Sequence, residues 1–239
     1  VRPKLYLVGL GINSHLQITT EAYQVLEAAD VAFALIDDES LMEMLSKRVE
    51  THDLAALYPD SGLRRDVYAR ITEHVVAEAQ KRCRTAFVVH GHPLFLVSAS
   101  ERLIDAATSV GIEVFVLAAV SSFDTVMADL REDLGYAVQI FDATTLIEHD
   151  LPVARSVPSL IFQVANTLSP HIQRADPPAE ILGPLREHLC RFYPGDRLCK
   201  LVYSATVPWE PATIREMELS RIDLDSVELW RRPTLYVPA

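Results

Sequence analysis

Apolar positions along the chain fall into runs of two alternating kinds. Lys4–Val8 (KLYLV) is a short β-rich run that ends at Gly9. Ala22, Val25, Leu26 and Ala29 lie on one helical face, so Thr19–Ala29 is predicted as a helix. Asp30 ends it, and Val31–Leu35 reads as a second strand; Leu41–Arg48 suits a short helix. Leu63, Val67, Ile71 and Val75 recur at helical spacing and predict a helix as far as Gln80. Thr85–Val89 reads as a buried strand, Ala99–Val110 as a helix capped by Gly111, and Ile112–Leu117 as the next strand.

Such alternation indicates an α/β sheet with parallel strands. The second half repeats the theme less cleanly. Phe123–Leu130 and Pro178–Phe192 look helical; Val138–Phe141, Ser159–Val164, Leu198–Ser204 and Thr234–Val237 look like strands. Small residues at Ala118–Val120 follow a strand end, so two α/β domains are expected, 1–118 and 119–239. No internal repeat or low-complexity segment is visible, and Pro177-Pro178 marks a loop.

Composition narrows the function classes. Half of the 239 residues are hydrophobic, enough for one large core or two modest ones. A net charge of −11 does not suit a general binder of phosphate backbones, so no nucleic-acid partner is expected. No apolar run approaches a membrane span, and the opening VRPKLYLVGLG enters a strand without a signal-peptide pattern. The expectation is a soluble, cytoplasmic protein without a membrane partner. Cys83, Cys190 and Cys199 form no CxxC pair and read as buried or stray thiols.

Candidate chemistry sits where strands end. Gly9-Leu10-Gly11 follows the first strand and admits close approach of a ligand or another backbone. The third glycine of a dinucleotide fingerprint is replaced by Ser14. His90-Gly91-His92-Pro93-Leu94-Phe95 follows the strand Thr85–Val89. Two histidines without a third ligand do not make a metal site, so no metal is expected; Pro93 and Phe95 suit a pocket wall. Ser121 and Ser122 suit either an N-cap or a cofactor contact. Gln163, ending Leu160–Phe162, is either a core hydrogen-bonder or a ligand contact, and Tyr203, Ser204 and Ala205 at a later strand end complete the cofactor candidates. Separately, Tyr58 precedes the helix on which Arg64 and Tyr68 are four residues apart and share a face. A cation beside a phenol stabilises the phenolate, so this group suits proton transfer or oxyanion binding; the alternative is an ordinary surface helix.

The ordered blocks GLGI, ITTEAYQVLEAADVAF, HGHPLFLVSAS and AAVSSFDT resemble the tetrapyrrole (corrin/porphyrin) methylase superfamily over nearly the whole chain. That resemblance implies two α/β domains of the class III methyltransferase kind, with S-adenosylmethionine in the cleft between them. The first loop, Gly9-Leu10-Gly11-Ile12-Asn13, lacks the proline and acid of the GxGPGD-like loop common in tetrapyrrole enzymes. YPDSGLRRDVY, QIFDATTLIEHD, LIFQVANTL and PTLYVPA resemble instead the borosin α-N-methyltransferases. These methylate backbone amides of a ribosomally made peptide and act as interlocked homodimers. The resemblance assigns catalysis to Tyr58, Arg64 and Tyr68; a further tyrosine often found three residues before the first is Ala55 here.

The reaction this implies is methyl transfer from S-adenosylmethionine to an amide nitrogen, with Tyr58 or Tyr68 as base and Arg64 holding the phenolate or the amide oxygen. Because the last expected strand ends beside Ala239, the substrate is expected to be a separate precursor peptide, and the resemblance implies a homodimer. The rival readings are a methyltransferase for a tetrapyrrole or other small metabolite, and a degenerate relative that binds or scaffolds.

Overall fold

The structure, a computed structural model, describes residues 2–58, 62–172, 176–207, 209–224 and 227–239. Pro59, Asp60 and Ser61, part of the segment between Tyr58 and Tyr68, lie outside the described residues. The chain divides into two compact units, Val1–Thr125 and Val126–Ala239.

The first unit contains β1 (Lys4–Gly9), α1 (Thr20–Ala28), β2 (Val31–Leu35), α2 (Glu39–Ser46), β3 (Thr51–Asp53), α3 (Arg64–Ala79), β4 (Arg84–Val89), α4 (Ser98–Ser109) and β5 (Glu113–Val116). Its strands form one parallel sheet in the order β3-β2-β4-β1-β5. Both faces are covered, which is why β2 and β4 read as continuous apolar runs. Val8, Ala32, Ala34, Ala86 and Val88 pack against Ala22 and Leu26 of α1 and Leu41 and Leu45 of α2. Leu5, Leu7, Phe33 and Phe87 alternate with them and point to the other face. There α3 lies beside α4, and His74 of α3 meets the Phe33 ring edge-on at 5.3 Å.

Local chemistry sets the helix ends. Thr19 Oγ1 accepts from Ala22 N at 3.1 Å at the start of α1, and Asp38 Oδ1 accepts from Ser40 N and Leu41 N at the start of α2. Gly111, at φ +82°, closes α4: its N–H donates to Thr108 O while Ile112 N donates to Ala107 O. The chain leaves β1 through α1 on one face and leaves the neighbouring β4 through α4 on the other. The β1–β4 boundary is therefore the point where the winding of the sheet reverses, and the carboxyl ends there are the favoured ligand position in open α/β sheets.

The division between units falls within α5 (Ser122–Leu130). The second unit continues with β6 (Gln139–Asp142), α6 (Ala143–Glu148), β7 (Ser159–Phe162), α7 (Gly183–Leu189), β8 (Leu198–Tyr203), β9 (Thr213–Glu218) and β10 (Thr234–Val237). The sheet order is β6-β7-β10-β8-β9, parallel only between β6 and β7. Leu146, Ile161, Leu185, Leu189, Leu201 and Leu235 form its core. The helix expected over Pro178–Phe192 is split into a 3-10 turn, Ala179–Leu182, and α7, whose first turn carries Pro184. Among the described residues no helix is long and apolar enough to cross a membrane, and no group of three or more His, Cys, Asp or Glu could hold a metal ion.

Candidate functional site

The loops after β1 and β4 are clamped to each other. Leu10 N donates to Val89 O at 3.0 Å, and Gly91 N donates to Gly11 O at 2.9 Å. A Cβ on Gly9 would lie 2.1 Å from Gly91 O, 2.6 Å from Ala119 Cβ and 2.9 Å from Pro93 Cδ. The close partner that makes Gly9 a glycine is thus another stretch of this backbone. Gly11 has φ +77° and lies against Gln17, whose Oε1 accepts from Ile12 N and Asn13 N at 2.8 and 2.9 Å. Both glycines build the turn that the sequence left open between a turn and a ligand contact.

The segment after β4 then turns outward. His92 Nδ1 accepts from Leu94 N at 3.0 Å, which leaves the ring proton on Nε2. Pro93 is buried, Phe95 is half-buried, and Leu94 is 48% exposed although it is apolar. Leu96 takes a left-handed φ of +63°. Pro93 is therefore a packing element, whereas Leu94 and Phe95 present apolar surface at the carboxyl edge of the sheet.

The tyrosine–arginine group gathers at the same edge of this unit. Asp53 Oδ1 accepts from Ala55 N at 2.7 Å and starts a 3-10 turn, Leu54–Leu57, and Tyr58 N closes it on Ala55 O at 3.0 Å. Arg70 of α3 donates to Leu57 O at 3.3 Å and ties this turn to α3. Tyr58 is half-buried and shares a hydrogen bond with Tyr68. Burial pushes the Tyr58 phenol far above its ordinary value. The neighbouring Tyr68 hydroxyl, the hydrogen bond to it and the charge of Asp37 act in the same direction, and the Arg64 guanidinium opposes them. At Tyr58 desolvation outweighs the cation.

Asp37 and Asp38, directly after β2, were not singled out from the sequence, and His90 was considered there only as a metal ligand. Asp38 is held below the usual carboxylate range, first by the Ser40 hydroxyl, then by the Leu41 and Ser40 amides, with the positive charge of His90 adding to them against burial. A pair of acids immediately after a buried parallel strand was the available signal.

The remaining candidates divide between roles. Ser121 caps α5: its N and Oγ both donate to Asp124 Oδ2, at 2.7 and 2.6 Å. Ser122 is half-buried, and its carbonyl accepts from Thr125 Oγ1. In the second unit, Gln163 is exposed, has φ +59°, and its Oε1 accepts from Asn166 Nδ2 at 2.8 Å, so it is not the core alternative. The Tyr203 ring is buried, with Arg231 stacked 4.8 Å from its centre. Ser204 Oγ donates to Asp129 Oδ2 at 2.5 Å, and Ala205 is half-buried.

Residues 4–220 match the profile of the tetrapyrrole (corrin/porphyrin) methylases. Among similar proteins, a methyltransferase/type III borosin cyclic peptide precursor of Anomoporia bombycina is 32% identical over 69% of this chain and 19% of its own length. The gymnopeptides precursor of Gymnopus fusipes is 27% identical over 98% of this chain and 57% of its own length. The lentinulin A precursor of Lentinula edodes is 34% identical over 67% and 39%. The chain thus spans between a fifth and three fifths of these relatives. Among solved structures, the uroporphyrin-III-C-methyltransferase of Thermus thermophilus superposes with a TM-score of 0.66 at 20% identity, covering 100% of this chain and 93% of that one. The methyltransferase CobJ gives 0.62 at 17% identity, covering 99% and 94%.

Proposed function

The chain belongs to the tetrapyrrole (corrin/porphyrin) methylase family, and from that premise we propose that it transfers a methyl group from S-adenosylmethionine to backbone amide nitrogens of a peptide. The observation that carries this reading is the Tyr58–Tyr68 hydrogen bond beside Arg64 at the carboxyl edge of the first sheet. The names of the relatives, each joining a methyltransferase to a cyclic peptide precursor, support the peptide over a tetrapyrrole or other small metabolite.

An amide nitrogen is a poor nucleophile because its lone pair is delocalised into the carbonyl. It reacts when its oxygen is held by donors and its proton is taken up. The hydrogen-bonded Tyr58–Tyr68 pair supplies phenol hydroxyls that can donate to the amide oxygen, and hydrogen-bonded groups in a chain polarise one another. Arg64 adds a cationic donor to the same oxygen.

The residues present fit the cofactor. Exposed Leu94 and half-buried Phe95 offer apolar surface for an adenosyl group, and Asp37 offers negative charge to a cation. Leu94, Phe95 and His92 would hold it in this unit. When bound, S-adenosylmethionine supplies an electrophilic methyl on a positively charged sulfur.

At about a hundredfold excess over its dissociation constant, the cofactor is expected to stabilise the chain by about 2.7 kcal/mol and so raise Tm. Isothermal titration without heat for either S-adenosylmethionine or its demethylated product would defeat the proposal. In its finer form the substrate is a separate precursor peptide, added in trans as a synthetic apolar peptide and read by a mass gain of one methyl. The same reading takes the protein as a cytoplasmic homodimer. Light scattering should give about twice 26.7 kDa, and a concentration-independent monomer would oppose it.

A further inference from the structure

We propose that Arg70 is a positioning residue: it holds the main chain immediately before Tyr58 to α3 and so sets where the Tyr58 hydroxyl meets Tyr68, an inference that rests on the peptide reading above. The two tyrosines stand on different elements. Tyr58 ends the 3-10 turn Leu54–Leu57, and Tyr68 lies on α3. Their hydroxyls stay in register only if the turn is held to the helix. Misplacing a reacting group by about 1 Å can cost on the order of a hundredfold in rate.

The turn is anchored at both ends. At its start Asp53 Oδ1 accepts from Ala55 N at 2.7 Å, and Leu54 is buried. At its end is the peptide unit that joins Leu57 to Tyr58, and both polar groups of that unit are engaged. Tyr58 N donates to Ala55 O at 3.0 Å, and Leu57 O accepts from Arg70 Nη2 at 3.3 Å. A peptide unit is planar, so these two hydrogen bonds together fix the Cα of Tyr58. Only the side-chain torsions of Tyr58 remain, and the hydrogen bond to Tyr68 takes them up. Tyr68 and Arg70 are two residues apart on α3 and leave it in nearly opposite directions. The two contacts therefore restrain the end of the turn from different sides, and neither substitutes for the other.

The fold itself has little stake in the Arg70 guanidinium. The residue is exposed, and α3 is held by buried Val67, Ile71 and Val75. Its hydrogen bond goes to a neutral carbonyl, which an ammonium can also reach with a single donor. Lysine should therefore be tolerated at position 70, in contrast to position 64, where the planar fork is needed. The same hold keeps the Tyr58 ring half-buried, and that burial is the main reason its phenol stands above the ordinary value.

The test is single-turnover methylation of synthetic apolar peptides by the full chain, with S-adenosylmethionine added. It compares the unsubstituted protein with Arg70→Ala, Arg70→Lys, Tyr58→Phe and the double variant Arg70→Ala/Tyr58→Phe. Arg65→Ala, which removes an exposed cation from the same helix, is the control. Arg70→Ala is expected to lose about tenfold in rate with Tm near normal. Arg70→Lys should regain most of that loss, and Arg65→Ala should lose nothing. In the Tyr58→Phe background Arg70→Ala should cost nothing further, because no hydroxyl is left to position. A second readout needs no peptide. In a spectroscopic titration of tyrosinate, Arg70→Ala should bring one more phenol into the ordinary range, and the double variant should lack that gain. Normal rates in Arg70→Ala, a loss that persists in the Tyr58→Phe background, a fall in Tm that tracks the rate, or an unchanged titration overturns the assignment and leaves the peptide reading standing. Failure of the unsubstituted chain to methylate any peptide removes the peptide reading, and the titration then decides by itself whether Arg70 holds Tyr58.

Discussion

Tyr68→Phe is expected to lower single-turnover methylation by about a hundredfold or more while leaving Tm and cofactor affinity near those of the unsubstituted chain. The change deletes one hydroxyl, the one hydrogen-bonded to Tyr58. Loss of one donor to a developing oxyanion costs on the order of a hundredfold to a thousandfold in rate. The fold has little stake in that oxygen: Tyr68 is anchored through its backbone, whose carbonyl accepts from Thr72 Oγ1 at 2.8 Å, and α3 is held by buried Val67, Ile71 and Val75. Arg64→Lys should also be damaging, because an ammonium does not reproduce the planar fork of a guanidinium. If the pair were only an ordinary surface contact, both variants would methylate at normal rates. Single-turnover measurement is the decisive assay because it isolates chemistry from product release. Normal rates in both would take the site away from these side chains.

Most of the first unit was legible in the sequence, for a physical reason. A parallel sheet covered on both faces demands apolar strands and strongly periodic helices, so β2 was read as Val31–Leu35 and α3 to within a residue of its ends. The elements that went unread bury little. β3 (Thr51–Asp53) and β9 (Thr213–Glu218) are edge strands, and β9 buries only Met217. Their positions are set by partner strands and carry no apolar run of their own. α6, six residues long, is started by Asp142 accepting from Thr145 N and is too short to show a period. The second sheet is mostly antiparallel, which its apolar runs did not reveal because pairing direction depends on connections between strands.

The site was legible to a different degree. The identity of the Tyr58–Arg64–Tyr68 group was available from spacing and resemblance. The direction of its electrostatics was not. Spacing places a cation near a phenol, but the balance between that cation and desolvation depends on how deeply the ring sits, and the turn at Leu54–Leu57 decides that. The small residues show the same limit. Ser121 was read as a cap or a ligand contact and Ser204 as a ligand contact, and both donate to nearby carboxylates, Asp124 and Asp129. Which partner a hydroxyl finds is a property of the folded backbone, and Asp129 lies far from Ser204 in sequence.

Gly9→Ala is expected to destabilise the cofactor-free protein by about 3 kcal/mol, a fall in Tm of roughly 6–12 °C. The added methyl would stand 2.1 Å from the carbonyl oxygen of Gly91 and 2.9 Å from the Pro93 ring. One is backbone and the other a rigid ring, so neither can swing aside as a long side chain would. Relief requires the loops after β1 and β4 to part, and that puts at risk the 2.9 Å hydrogen bond from Gly91 N to Gly11 O. Gly111→Ala is the control. Its φ of +82° carries a backbone cost, but nothing lies within 4 Å of the new methyl, so the penalty is limited to about 1–2 kcal/mol for a left-handed alanine. Calorimetry of both variants without cofactor should therefore show the larger loss at Gly9. If Gly9 were a glycine for the ligand's sake, the cofactor-free Tm would stay near normal and only cofactor affinity would fall. That outcome would reverse the assignment of Gly9 to backbone packing. A large loss of stability before any cofactor is added would instead show that the clamp between β1 and β4 is part of the fold, with ligand contacts left to the side chains around it.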